Sequence, residues 1–147
     1  MSFTRDEIRE AMLLYAVTDR SWLRPGQTLP QVVARVLDHG ATFLQIREKD
    51  LDPETFEAEA AVLKTLCQAR RVPFVVNDSV EIALACGADG VHVGQSDLQG
   101  RDIRAMIGPD RVLGISAGTV EEARAAERAG ADYIGVGAVF GTSTKQN

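Results

Sequence analysis

Three stretches of this chain repeat one short plan, and that repetition constrains the fold more than any other feature. His39-Gly40-Ala41-Thr42, Cys86-Gly87-Ala88-Asp89 and Ala129-Gly130-Ala131-Asp132 each end a helical pattern on glycine and lead straight into an apolar run. Glycine suits the position just past a helix because it takes the left-handed conformation there without a steric penalty. The echoes begin 47 and then 43 residues apart, an interval that holds two βα units.

The segments between the echoes complete the pattern. Thr4 and Glu7 form a capping box that predicts a helix through about Met12, and residues 13 to 17 read as the first strand. Residues 22 to 28, with Pro25 and Gly26, read as a loop, and Val32, Val33, Val36 and Leu37 mark an amphipathic helix over 30 to 39. The second strand is predicted over 42 to 50. Asp52 followed by Pro53 then starts a helix carried to about Arg70. Further strands are predicted over 73 to 76, 90 to 93, 112 to 115 and 133 to 136. Helices over 79 to 86, 101 to 107 and 119 to 129 separate them.

Six alternations with connections this short require parallel strands and right-handed crossovers. Such units build either an eightfold barrel or a doubly wound sheet. No G-x-G-x-x-G follows the first strand, and Gly90, His92 and Gly94 alternate as small inward residues would in a ligand-lined barrel. The sequence therefore predicts a TIM (β/α)8 barrel type with about six βα units. Barrels of this type need about 200 residues or more. The expectation is one domain over 1 to 147, incomplete at its C-terminus and completed by a longer protein or another chain, with a homo-oligomer possible.

Composition narrows the partners. A net charge of -5 and a pI near 5.0 argue against nucleic acid or an anionic membrane surface. No run is apolar enough to cross a bilayer, and the N-terminus lacks an apolar signal core, so a cytoplasmic location is expected. Cys67 and Cys86 have no metal-ligand spacing and read as small apolar fillers.

In parallel βα folds the C-terminal strand ends meet at one face, where the loops build the site. Those ends carry Gln45, Arg47 and Lys49; Asn77 and Asp78; Gln95 and Asp97; Ser116; and Thr142, Thr144 and Lys145. Alternation over 42 to 50 puts Phe43, Gln45, Arg47 and Lys49 on one face of a strand and Leu44 and Ile46 on the other. A polar face is unusual in a parallel sheet, and it reads either as a wet edge strand or as a surface aimed at an anion. Asp78 and Asp97 can share one hard cation, leaving room for water and phosphate as Mg²⁺ prefers. Arg47 and Lys49 would neutralise outer phosphate oxygens, and the hydroxyls of Ser116, Thr142 and Thr144 would finish the cradle. The ligand class is a diphosphate with its metal. Plainer roles stand beside these. Asp78 or Asp97 would merely cap a helix, His92 would be a buried hydrogen-bonded histidine, and His39 would answer its helix dipole. Glu48 would pair with a helix residue, and Lys145 would be solvated.

Six motifs in order, L-L-Y-A-V-T-D-R, Q-I-R-E-K, V-N-D, A-D-G-V-H-V-G-Q-S-D, L-G-I-S-A-G-T and A-D-Y-I-G-V-G-A-V-F-G-T-S-T-K, closely resemble the thiamine-phosphate synthase family. The resemblance covers essentially the whole chain. It implies an eightfold barrel transferase that joins a pyrimidine diphosphate to a thiazole phosphate and releases pyrophosphate with Mg²⁺. By that resemblance Gln45, Arg47, Lys49 and Asn77 bind the pyrimidine diphosphate, and Asp78 and Asp97 hold Mg²⁺. Ser116 and Lys145 would contact the pyrimidine substrate, and Thr142 and Thr144 the thiazole phosphate. Arg47, Lys49 and Lys145, with Mg²⁺, would stabilise negative charge on the departing pyrophosphate, and Ser116 would stand with them among the catalytic residues. Two other readings are a related thiazole tautomerase barrel and a non-catalytic phosphate-binding module. The tautomerase would not need both aspartates and the cluster of cations.

Overall fold

The structure, a computed structural model, describes residues 2–143. It contains helix α1 (Arg5–Ala11), strand β1 (Tyr15–Val17), a 3-10 turn (Arg20–Trp22), α2 (Leu29–Asp38), β2 (Phe43–Ile46) and α3 (Pro53–Ala69). There follow β3 (Phe74–Asn77), α4 (Val80–Ala85), β4 (Gly90–Val93), a second 3-10 turn (Gln95–Leu98), α5 (Ile103–Ile107), β5 (Val112–Ser116), α6 (Val120–Arg128) and β6 (Tyr133–Gly135). All six strands are parallel and lie in the order β1-β2-β3-β4-β5-β6. That order sets aside the doubly wound alternative, in which the strand order reverses partway across the sheet.

Caps set the helix starts. The Thr28 hydroxyl accepts from the Gln31 amide while the Gln31 side chain accepts from the Thr28 amide, a complete capping box. Thr28→Ala should therefore lower stability by about 1 kcal/mol in a thermal melt, with no change in the far-ultraviolet spectrum of the folded chain. Gly40, Gly87 and Gly130, the three glycines of the sequence echo, all have positive φ, at 117°, 65° and 85°.

Alternation divides the strands between two layers. Leu44, Ile46, Phe74, Val76, Val91, Val93, Leu113 and Ile115 face outward and pack against apolar residues of α2 to α6. Phe43, Val75 and Val112 face inward with Ile8 of α1, and Phe3, Tyr15 and Tyr133 pack beside them. Because Phe43 and Val112 begin their strands, α1 covers the N-terminal mouth of the sheet, which leaves the C-terminal mouth for ligands. Gly90 lies in this inner layer because nothing larger fits: a Cβ there would stand 2.0 Å from the Val112 carbonyl oxygen.

The sheet is curled. β1 and β6 are its two edges, yet the Tyr15 and Tyr133 hydroxyls meet across its concave face at 2.6 Å. A flat sheet with four strands between these two, each pair about 4.8 Å apart, would hold them more than 20 Å apart. The fold is a half-barrel of six parallel strands, not a closed eight-stranded barrel.

α1 is tied down electrostatically. The Glu7 carboxylate accepts from the Thr4 amide at 2.8 Å and from the Arg71 guanidinium at 2.5 Å. Chiefly the Thr4 amide, with Arg71, holds its pKa down at about 2 from an ordinary 4.5. A lowered acid pKa favours the folded state above the unfolded value, and that contribution is lost as pH falls toward the folded one. The melting temperature should drop between pH 4.5 and 2, and Glu7→Gln should flatten that part of the curve.

Several boundaries move. β2 stops at Ile46 and lies between β1 and β3, so it is neither an edge strand nor nine residues long. All four of its residues are buried, Gln45 included, so the polar face expected over 42 to 50 is not a strand face; Arg47 and Lys49 leave from the loop that follows. The predicted loop at 22 to 28 is preceded by a 3-10 turn, capped by Asp19 accepting from the Ser21 amide. Asn77 belongs to β3 and Ser116 to β5.

Candidate functional site

The C-terminal ends of β2 to β4 bring three of the expected polar groups into one cluster. Asp78 follows β3 in the left-handed region, φ 68°, with its amide donating to the His92 carbonyl at 2.8 Å. A non-glycine residue rarely sits there, although aspartate tolerates it better than most. Its carboxylate forms an ion pair with the Lys49 ammonium at 2.5 Å. Across from it, Asp97 accepts from the Gly94 amide at 2.9 Å. Burial raises the Asp97 pKa, and the neighbouring Asp78 carboxylate pushes it the same way, against the Gly94 amide and Lys49. The Asp78 carboxylate is thus close enough to disfavour negative charge on Asp97.

Neither acid is the N-cap of α4 or α5, although Asp97 does close the start of the second 3-10 turn through the Gly94 amide. Ser79 caps α4, accepting from the Ile82 amide at 3.1 Å, and Asp102 caps α5, accepting from Ala105 at 3.0 Å. His39 and Glu48 do have structural roles. The His39 ring bonds the Arg35 carbonyl at 2.7 Å, and Glu48 pairs with Arg20 at 3.2 Å, which also bonds Glu59 of α3. Gln95 donates to the Ser116 carbonyl at 2.7 Å, fixing the loop after β4 against β5.

Below this rim, the concave wall carries a chain of hydrogen bonds. Gln45 Nε2 donates to the Tyr15 hydroxyl at 2.7 Å, Tyr15 meets the Tyr133 hydroxyl at 2.6 Å, and Tyr133 meets His92 Nδ1 at 3.0 Å. His92 Nε2 in turn meets Ser116 Oγ at 2.9 Å. Burial raises the pKa of both tyrosines, Tyr133 strongly, so both phenols remain protonated at neutral pH. Gln45, Asn77 and His92 are the buried polar residues here, each less than a tenth exposed.

Arg47 is placed elsewhere. It lines the groove between β1 and α2, with Asp19, Trp22, Val33 and Leu44, and its charge contributes to lowering the Asp19 pKa. Thr142 is exposed in the segment after β6, and Thr144 and Lys145 lie outside the described residues. Tyr15 and Tyr133 went unnoticed in the sequence. The signal was available, since they are the chain's two tyrosines and open its first and sixth strands.

Among the described residues no three of His, Cys, Asp and Glu gather into a metal centre. Asp78 and Asp97 are a pair of hard oxygen donors, which suits a cation that keeps several waters and takes phosphate oxygens as its other ligands.

A curled parallel sheet, with α1 over its N-terminal mouth and charged groups at its C-terminal rim, defines a protein of the α/β barrel type. The chain belongs to the thiamine monophosphate synthase family, whose profile matches residues 14–147. It is 50% identical over 132 residues to the thiamine-phosphate synthase of Ruminiclostridium cellulolyticum, covering 90% of this chain and 62% of that protein. It is 43% identical over 150 residues to the thiamine biosynthetic bifunctional enzyme of Saccharomyces cerevisiae, covering all of this chain and 27% of that one. The solved thiamine phosphate pyrophosphorylase from Pyrococcus furiosus superposes with a TM-score of 0.82 at 34% identity, over 90% of this chain and 63% of that one. The chain thus spans a little under two thirds of the Ruminiclostridium cellulolyticum and Pyrococcus furiosus proteins.

Proposed function

We propose that this chain forms the pyrimidine-diphosphate half of a thiamine-phosphate synthase site. The protein carrying it would couple hydroxymethylpyrimidine diphosphate to hydroxyethylthiazole phosphate, releasing pyrophosphate. The observation that carries the reading is the cluster of Lys49, Asp78 and Asp97 at the C-terminal rim. Gln45, Asn77 and Ser116 would orient the pyrimidine on the concave wall. Lys49 and Lys145 would neutralise the diphosphate as its bond to the methylene breaks, with Arg47 swinging over the rim from its groove to meet the outer oxygens. Asp78 and Asp97 would hold Mg²⁺, which when bound adds positive charge beside the leaving group. Thr142 and Thr144 would bind the thiazole phosphate. No protein nucleophile is needed, because the thiazole nitrogen attacks the cation and the walls exclude water.

The same proposal extends to fold and surroundings. β1 and β6 are open edges among the described residues, and Leu14, Val17, Ile134 and Val136 are exposed on or beside them. Two further βα units would cover both edges and close an eightfold barrel around a single domain. Sedimentation of the chain alone should show self-association, and a monodisperse monomer would count against this reading. No helix among the described residues is long and apolar enough to cross a membrane, and a cytoplasmic location is proposed.

Supplying both substrates with Mg²⁺ and assaying thiamine phosphate tests the proposal. A phosphate-binding module is the second reading; it predicts diphosphate binding without turnover. Under either reading Mg²⁺ should raise the melting temperature at pH 7, and Asp97→Asn should remove most of that rise.

A further inference from the structure

We propose that Tyr133 is a positioning residue that sets the direction of the hydrogen-bond chain on the concave wall. His92 then carries its hydrogen on Nε2, and Ser116 is left as a donor toward the ligand. The direction begins at Gln45, whose Nε2 can only donate, so the Tyr15 oxygen accepts. Tyr15 O–H then donates to Tyr133, the phenol 2.6 Å away. Tyr133 O–H donates in turn to His92 Nδ1, 3.0 Å away, which makes that nitrogen an acceptor. Nε2 must then bear the hydrogen and give it to Ser116 Oγ at 2.9 Å. With its oxygen already accepting, the Ser116 hydroxyl directs its own hydrogen into the open mouth. The opposite direction would have Tyr15 accept from both neighbours and leave its phenolic hydrogen unused in a wall where polar groups are otherwise paired.

The wall is shaped for this contact. His92, Gly114 and Tyr133 share one register across β4, β5 and β6. A Cβ on Gly114 would fall 2.3 Å from the Tyr133 hydroxyl and 2.5 Å from His92 Nδ1. The missing side chain is what lets phenol and imidazole meet across β5. The ligand group served is a hydrogen-bond acceptor, a ring nitrogen or a phosphate oxygen. That last step rests on the synthase reading, whereas the tautomer does not.

Long-range proton–nitrogen correlation spectra of the ¹⁵N-labelled chain at pH 7 test the inference without substrate. The chain has two histidines, so His39→Gln assigns the spectrum. His92 should appear as the Nε2–H tautomer, and Tyr133→Phe should convert it to a mixture of both neutral tautomers. A wild-type His92 with its hydrogen on Nδ1, or on both nitrogens, overturns the proposal. So does a Tyr133→Phe spectrum identical to wild type. Should Tyr133→Phe not fold, Tyr15→Phe reads the same chain one link earlier and is expected to shift the tautomer in the same direction. In the coupling assay Ser116→Ala should raise KM for the pyrimidine diphosphate roughly tenfold with a smaller change in kcat, the size of one lost hydrogen bond. Absence of turnover in the protein that carries this chain would sink the synthase reading and leave the tautomer result standing.

Discussion

Gly90→Ala should unfold the chain or cost on the order of 3 kcal/mol, the upper end of what overpacking a core usually costs. The added methyl would sit 2.0 Å from the Val112 carbonyl oxygen and 2.7 Å from its carbon. Those are backbone atoms of the neighbouring strand, so no rotamer change relieves the contact. β4 would have to part from β5, breaking the register that pairs Gly90 with Val112 and Val93 with Ile115. Gly114→Ala serves as the comparison, because there the clash is with the Tyr133 ring and His92. Side chains can move, so it should lose less stability while disrupting the hydrogen-bond chain. Urea unfolding of the two variants separates the cases; equal stability losses would mean that β4 and β5 adjust more freely than their packing indicates.

Asp97→Ala should lower turnover at least a hundredfold while leaving the fold intact, if the carboxylate pair holds the metal beside the diphosphate. The fold should survive because Asp97 closes only one short loop, through the Gly94 amide, and contributes nothing to the apolar layers. Removing it also frees Asp78 from a like charge, so Asp78 and Lys49 should hold each other more firmly and Mg²⁺ binding should fall with activity. Circular dichroism, Mg²⁺ titration and the coupling assay read the three consequences. Full activity in the variant would remove Asp97 from the metal site.

Much of this protein was legible along the chain, and the legible part has one cause. Glycines at 40, 87 and 130 end helices because of their own conformational freedom, and Thr4, Asp52 and Thr119 start them through bonds to amides three residues on. These are local effects, so they survive in any linear reading, and six alternating units follow from them. The polar strand ends were legible as well, because parallel strands deliver their C-termini to one edge whatever the details of packing.

What the sequence could not determine depends on how far the sheet curls. β2 ends after four residues and Arg47 lies in the groove beside α2, since a strand's length is set by the neighbours it pairs with. The meeting of Tyr15 with Tyr133, from the first and sixth strands, has no local cause at all. Curvature accumulated over six strands brings side chains of the two edge strands within hydrogen-bond reach, and only then do Gln45, His92 and Ser116 join one line of donors and acceptors. Residue types and spacings placed Lys49, Asp78 and Asp97 at strand ends that share one rim; the curvature of the sheet decided which polar groups touch.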